Sequence, residues 1–77
     1  MAKESRRNQL IRDGCAKAIA AAGRPLHNTD LVQTVLVPLS LDGVVTAKAL
    51  NTCLHDDPQF RFKRVAPGTW SLNPPLR

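Results

Sequence analysis

The sequence has few of the residues that build metal sites and covalent cross-links. Its 77 residues include two cysteines, Cys15 and Cys53, and two histidines, with no C-x-x-C pair from which a zinc motif could be assembled. Each cysteine stands among small or apolar neighbours, so we expect two reduced thiols packed in the core, with a disulfide or a metal site as the alternative. We expect no cofactor.

Long apolar runs are also missing. The longest uninterrupted ones, residues 18–22 and 35–37, fall far short of the ~20 residues of a membrane span. The basic N-terminus is followed by an amphipathic stretch rather than the apolar core of a secretory signal. We therefore expect no membrane partner and a location in the cytoplasm, associated with the nucleoid, or in the nucleus.

The inventory of catalytic groups is poor. A nucleophile and base pair would need His27 or His55 beside a Ser, Thr or Cys and an orienting acid, but His27 lies in the short link between two predicted helices and His55 lies at a predicted helix end. The glycines are isolated rather than gathered in a phosphate-binding loop. Asp56 and Asp57 are adjacent near a predicted helix end, which indicates a solvated cap rather than a pair of catalytic carboxylates. The sequence predicts a protein that is not an enzyme and has no small-molecule substrate.

Positive charge is present in excess and is unevenly distributed. Eleven Lys and Arg against six Asp and Glu give a formal net charge of +5. Residues 1–24 and residues 59–77 each carry +4, whereas residues 25–58 carry −3. A net positive charge of this size favours polyanions such as nucleic acid as partners. The distribution of the charge places the attraction for polyanions at the two ends of the chain.

Apolar periodicity predicts three helices. The first begins after a Ser5 cap and runs to about Ala22, the second opens at Asn28 or Thr29 and closes at Pro38, and the third is capped by Thr46 and ends near Asp56. Gly14 in the first helix marks close approach of a neighbouring helix. The short segment between the first two helices, residues 24–27, can add an edge strand.

The period changes to two after Pro58. Phe60 and Phe62, then Trp70 and Leu72, alternate with polar residues around a predicted type II turn at residues 66–69, which indicates a β-hairpin. Trp70 is expected in the core, with stacking on a base or partner as the alternative. The order of elements predicts an α+β fold, a three-helix winged helix-turn-helix with a C-terminal hairpin wing. One domain covers residues 1–77, with its core at about 5–72 and a tail or linker at 73–77.

Two stretches resemble the HARE-HTH family of winged helix-turn-helix domains. Residues 18–27 read AIAAAGRPLH, similar to the family's alanine-rich helix and G-x-P-L-H link, and residues 62–72 read FKRVAPGTWSL, similar to its F-x-R-V-x-x-G-T-W-x-L wing. The resemblance covers about residues 8–72. It implies a non-catalytic DNA-binding or chromatin-adapter module, of a kind found beside restriction endonucleases and DNA glycosylases, in an RNA polymerase delta subunit and in chromatin proteins.

The third predicted helix of this chain is not the strongly cationic recognition helix that would bind in a DNA groove, because it contains a single basic residue, Lys48. We therefore expect double-stranded DNA to be bound with low sequence specificity, with phosphate contacts from the wing and the N-terminal region. The alternative is an adapter, part of a larger protein or fused to a catalytic domain, whose acidic middle docks on a polymerase, nuclease or chromatin partner. The predicted DNA-binding residues are Lys48, Asn51, Thr52, Arg61, Lys63, Arg64, Arg6 and Arg7.

Overall fold

A computed structural model describes residues 6–73 and shows an α+β arrangement. Over that range the chain forms three helices and a three-stranded antiparallel sheet. The first strand lies between the first two helices in sequence, and the other two strands follow the third helix. The predicted fold class is confirmed at this level, and the predicted Ser5 cap and most of the predicted tail lie outside the described residues. The elements are α1 (Arg6–Ala22), β1 (Leu26–His27), α2 (Asn28–Leu31, continued by a π-helical turn, Val32–Leu36), α3 (Ala47–His55), β2 (Phe62–Ala66) and β3 (Thr69–Leu72).

Helix α1 buries one side against the rest of the molecule. Ile11, Cys15 and Ile19 recur at four-residue steps and are almost fully buried, as predicted. Helical spacing predicts Leu10 on the same stripe, but its side chain is 45% exposed. Arg12, whose charge suggests the surface, is instead buried at 4% exposure, because it follows Ile11 around the helix and lies three residues before Cys15.

The second helix packs tightly on α1 at Gly14. A Cβ atom placed on Gly14 would lie 2.8 Å from Val35 Cγ1, a distance that real Cβ contacts essentially never show. The prediction of close approach at Gly14 is confirmed. Val35 lies in the π-helical turn, where the Val37 amide donates to the Val32 carbonyl at 2.9 Å, one residue further back than in an α-helix.

The sheet has the strand order β1-β3-β2, so that β3 is central and the predicted edge strand forms at Leu26–His27. Its register pairs Leu26 with Trp70 and Phe62 with Leu72. Gly68 in the hairpin turn has φ +68°, the conformation that a type II turn requires at that position. The Asn28 amide donates to the Gly68 carbonyl at 2.8 Å, which ties the hairpin turn to the start of α2.

One hydrophobic core joins the helices to one face of the sheet. Trp70 is 3% exposed, which confirms its predicted core position, and Cys15 and Cys53 are buried and unpaired, as predicted. Within residues 6–73 no helix combines the length and the apolar character needed to cross a membrane.

Two predictions near the end of α3 are wrong. Phe60 does not belong to the strand, which begins at Phe62; its side chain is 75% exposed and its φ is +53°. Asp57 is not a solvated cap, because its side chain is only 2% exposed. The reason in both cases is a tight turn of residues 57–60, in which the Phe60 amide donates to the Asp57 carbonyl and the amides of Gln59 and Arg61 donate to the Asp57 carboxylate.

Candidate nucleic-acid interface

Helix α3 presents one polar face to solvent. Thr46 begins the helix, and its side-chain oxygen accepts a hydrogen bond from the Ala49 amide at 3.1 Å, as its predicted role as N-cap requires. Lys48, Thr52 and His55 follow at steps of four and three residues and are exposed. The opposite face carries Leu50, Cys53 and Leu54 into the core, so the helix is fixed with its polar face outward.

A groove of about 430 Å³ separates this face from the start of α1. Arg7 lines it from α1, and Lys48 and Thr52 line it from α3. The packing of α1 on α3 therefore brings together two basic residues, Arg7 and Lys48, that are far apart in the sequence. Arg6 precedes Arg7 on the same helix and is exposed.

A second hollow, of about 210 Å³, lies on the other side of α3, against the hairpin. It is lined by Asn51, Thr52 and His55 of the helix and by Arg64 and Trp70 of the sheet. Thr52 lines both hollows, so it lies between Arg7 on one side and Arg64 on the other. The structure thus gathers five of the predicted residues, Arg7, Lys48, Asn51, Thr52 and Arg64, around one helix face.

Arg64 and Lys63 lie on opposite faces of the hairpin. Arg64 is paired in register with the buried Trp70, so it lies on the face of the sheet that looks toward the helices. Lys63 is paired with Ser71 and lies on the opposite face, because successive residues of a strand alternate. Lys63 is exposed but does not line either hollow beside α3.

Arg61 is half-buried and forms two ion pairs with acids of the same chain. Its Nε atom donates to Asp57 Oδ2 at 2.9 Å and one terminal nitrogen donates to Asp13 Oδ1 at 2.9 Å. The hydrogen bond from the Arg61 side chain to Asp57 is the main cause that raises the pKa of Arg61. The guanidinium therefore links the end of α3 to α1, and two of its three nitrogens are already bonded to carboxylates.

Asn51 is partly committed as well. Trp70 Nε1 donates to Asn51 Oδ1 at 3.0 Å. Since an indole nitrogen can only donate, this bond fixes the carboxamide with its oxygen toward Trp70 and its two N–H donors away from it. Bidentate reading of adenine needs an acceptor and a donor from the same amide, so Asn51 retains mainly its donor function.

Arg12 of α1 binds backbone carbonyls at the C-terminal end of α3. Its Nε donates to the Cys53 carbonyl at 2.8 Å and a terminal nitrogen donates to the Asp56 carbonyl at 3.3 Å, which places a cation at the C-terminal end of the helix dipole. Burial raises the pKa of the neighbouring Cys53 thiol, and the Arg12 charge opposes that effect. Desolvation by burial, with a smaller contribution from Cys53, raises the pKa of Cys15 to about 12, so this thiol is protonated and inert at neutral pH.

His55 belongs to this face, although it is not one of the predicted DNA-binding residues. It lies seven positions after Lys48 and three after Thr52, spacing that alone places all three on one helix face. His55 Nδ1 lies 3.1 Å from Asp56 Oδ1, and its side chain is exposed in the hollow beside Arg64.

The described part of the chain offers no group of three or more His, Cys, Asp and Glu side chains that could hold a metal ion.

Comparison with protein-family models, with curated proteins and with solved structures gives no match.

Proposed function

We propose that this chain is a DNA-binding winged helix-turn-helix domain, similar to the HARE-HTH family, that uses α3 as its recognition helix. The observation that carries the proposal is the set of cations around the exposed face of α3. Arg7, Lys48 and Arg64 line its two hollows, and among residues 6–73 they form no salt bridge with an acid. They are available for phosphates, whereas Arg12 and Arg61 are used internally.

The diameter of an α-helix suits the major groove of B-form DNA. An α-helix with its side chains is about 10–12 Å across, and the major groove of B-DNA is about 12 Å wide. With α3 in the groove, we expect Arg7 from α1 and Arg64 from the hairpin to contact phosphates on its two sides, because they line the hollows on the two sides of α3. A-form RNA has a deep, narrow major groove that excludes a helix, so we propose DNA rather than double-stranded RNA as the partner.

Few groups on α3 can read base edges. Thr52 and His55 are exposed, and Asn51 offers mainly its two N–H donors, because its oxygen already accepts a hydrogen bond from Trp70. Phosphate contacts position a protein without selecting sequence. We therefore propose affinity that is mostly electrostatic and specificity that is low.

The adapter alternative rests on the acidic middle of the chain. Asp57 belongs to that stretch of sequence, but its side chain is buried and bonded to Arg61. Asp30, Asp42 and Asp56 remain exposed, which leaves a smaller and more dispersed set of acids for a basic partner.

The proposal is tested by two double variants that remove the same charge. Arg7→Ala with Arg64→Ala removes two cations beside α3, and Lys17→Ala with Arg24→Ala removes two exposed cations that lie away from both hollows. Binding to unrelated duplexes is measured by fluorescence anisotropy at several salt concentrations. We expect the first variant to lower the magnitude of the slope of log affinity against log salt by about 0.9 for each phosphate that the protein no longer neutralises.

The second variant should change the slope much less, and Lys63→Ala should behave like that control. Equal changes in both double variants would show that only net charge matters and would contradict the assignment of the α3 face. A parent affinity no tighter than about 10⁻⁴ M at physiological salt would contradict DNA binding itself.

A further inference from the structure

Phe60 is an exposed aromatic residue held in an unfavourable backbone conformation. Three quarters of its side chain is accessible to solvent, and its φ of +53° lies in the left-handed region, which bulky residues rarely adopt. Such a conformation persists only where the surrounding structure enforces it, and it is concentrated at functional positions. The exposure and the strain together single out Phe60 for a role outside the core.

The turn that carries Phe60 is rigidly built. The Asp57 carboxylate accepts hydrogen bonds from the Gln59 amide at 3.2 Å, the Arg61 amide at 3.1 Å and the Arg61 side chain at 2.9 Å. The Phe60 amide donates to the Asp57 carbonyl at 3.0 Å, and the Phe60 carbonyl accepts from Asn73 Nδ2 at 3.3 Å. These hydrogen bonds hold the backbone that carries the exposed Phe60 ring. Less backbone freedom is therefore lost when the ring enters a partner, which lowers the entropic cost of binding.

An apolar hollow of about 400 Å³ lies beside this turn. Ala16, Ala20 and Leu72 form its apolar lining, and Lys17, Arg61 and Asn73 complete it. Asn73 also holds the Phe60 carbonyl, so the protruding ring and the hollow are neighbours on one surface. The Phe60 ring does not line its own hollow.

We propose that this surface is the interface of a two-fold symmetric dimer, in which Phe60 of each copy enters the apolar hollow of the other. A two-fold interface must be complementary to itself, and a protrusion beside a matching depression meets that condition. Buried aromatic anchors of this kind supply much of the binding energy of protein interfaces.

The local charge favours a second copy. The chain as a whole carries +5, which opposes self-association. Around this surface, however, the positive charges of Lys17 and Arg61 are matched by Asp13 and Asp57, and Arg61 is bonded to both acids. Two copies can therefore meet here without the repulsion that the basic face beside α3 would cause.

Sedimentation equilibrium without DNA tests the proposal. We expect a dimer fraction that rises with protein concentration from about 10 µM to about 1 mM, as for a small, weak interface. Phe60→Gly should abolish the dimer while leaving the melting temperature no lower, because glycine adopts positive φ readily. Ala20→Glu, which places a charge in the hollow, should abolish the dimer independently. Val44→Ser, at an exposed position that does not line the hollow, should not.

Two results would overturn the proposal. One is a parent that stays monomeric up to about 1 mM. The other is dimerisation of Phe60→Gly or of Ala20→Glu to the same extent as the parent. Because no DNA is present, neither result bears on DNA binding.

Discussion

Asp57 combines burial with a charge that is needed for the fold. Burial alone would raise the pKa of its carboxyl group, but hydrogen bonds from the Arg61 side chain and from the Gln59 and Arg61 amides outweigh burial and hold the pKa below its ordinary value. A carboxyl group with a lowered pKa in the folded state stabilises the fold at pH values above its unfolded pKa. That contribution is lost as the pH falls below about 4, because the unfolded chain then binds the proton more strongly.

Asp57→Asn should lower the free energy of unfolding at pH 7 by about 1–3 kcal/mol, because a neutral amide leaves part of the Arg61 bonding unsatisfied. The difference between parent and variant should shrink as the pH is lowered from about 4 toward 2. Urea unfolding at a series of pH values measures both quantities. Asp42→Asn, at an exposed position, is the control. A difference that stays constant over this pH range would show that the Asp57 charge does not stabilise the fold.

At the scale of single residues, the sequence predicts apolar positions better than charged ones. Alternation and helical spacing place Trp70 and Cys15 in the core, because both patterns follow directly from burial of one face. Charge alone places Arg12 and Asp57 in solvent, because charged residues are almost never fully buried unless paired. Their partners, the Cys53 and Asp56 carbonyls and the Arg61 side chain, depend on tertiary contacts that no local pattern indicates.

The contact between α1 and the second helix depends on the absence of a side chain at Gly14. Glycine within a helix costs roughly 1 kcal/mol relative to alanine, and the close approach of Val35 explains why it is found there. Val35 is buried and β-branched, so its side chain has little freedom to move away from a new methyl group.

Gly14→Ala should therefore lower the free energy of unfolding by about 1 kcal/mol, since overpacking of about 1–3 kcal/mol exceeds the gain in helix propensity. Gly43→Ala is the matched control, because a Cβ there meets nothing within 4 Å. Thermal or urea unfolding of both variants, and of Gly14→Ala with Val35→Ala, measures the effect. A Gly14→Ala variant more stable than the parent would mean that the two helices are not in tight contact.

At the scale of elements, the starts and ends of the helices are predictable from sequence, because caps and punctuating residues act locally. Thr46 caps α3, and α1 ends at Ala22 just before Gly23. The π-helical turn of Val32–Leu36 is not predictable in this way, because no side-chain cap marks its start. The turn that exposes Phe60 escapes prediction for a related reason: alternation extends the strand to Phe60, whereas the buried Asp57 carboxylate imposes the turn.

For the molecule as a whole, the uneven charge along the chain gives two surfaces that differ in net charge. The face around α3 carries Arg7, Lys48 and Arg64, drawn from the first helix, the third helix and the hairpin. The surface around Phe60 has its cations matched by acids. The sequence predicts which residues carry the charge, but not that Arg61 is neutralised or that Arg64 and Lys63 lie on opposite faces of the hairpin.

Amide chemical-shift mapping with a short B-form DNA duplex tests the central claim most directly, because it identifies the bound face residue by residue. We expect the largest shifts along α3 from Thr46 to His55, with further shifts at Arg7 and Arg64, and small shifts at Phe60 and Lys63. The shifts should diminish as salt is added, since the protein binds mainly to phosphates. Shifts confined to residues outside the α3 face, or none at duplex concentrations of about 1 mM, would contradict the proposed interface.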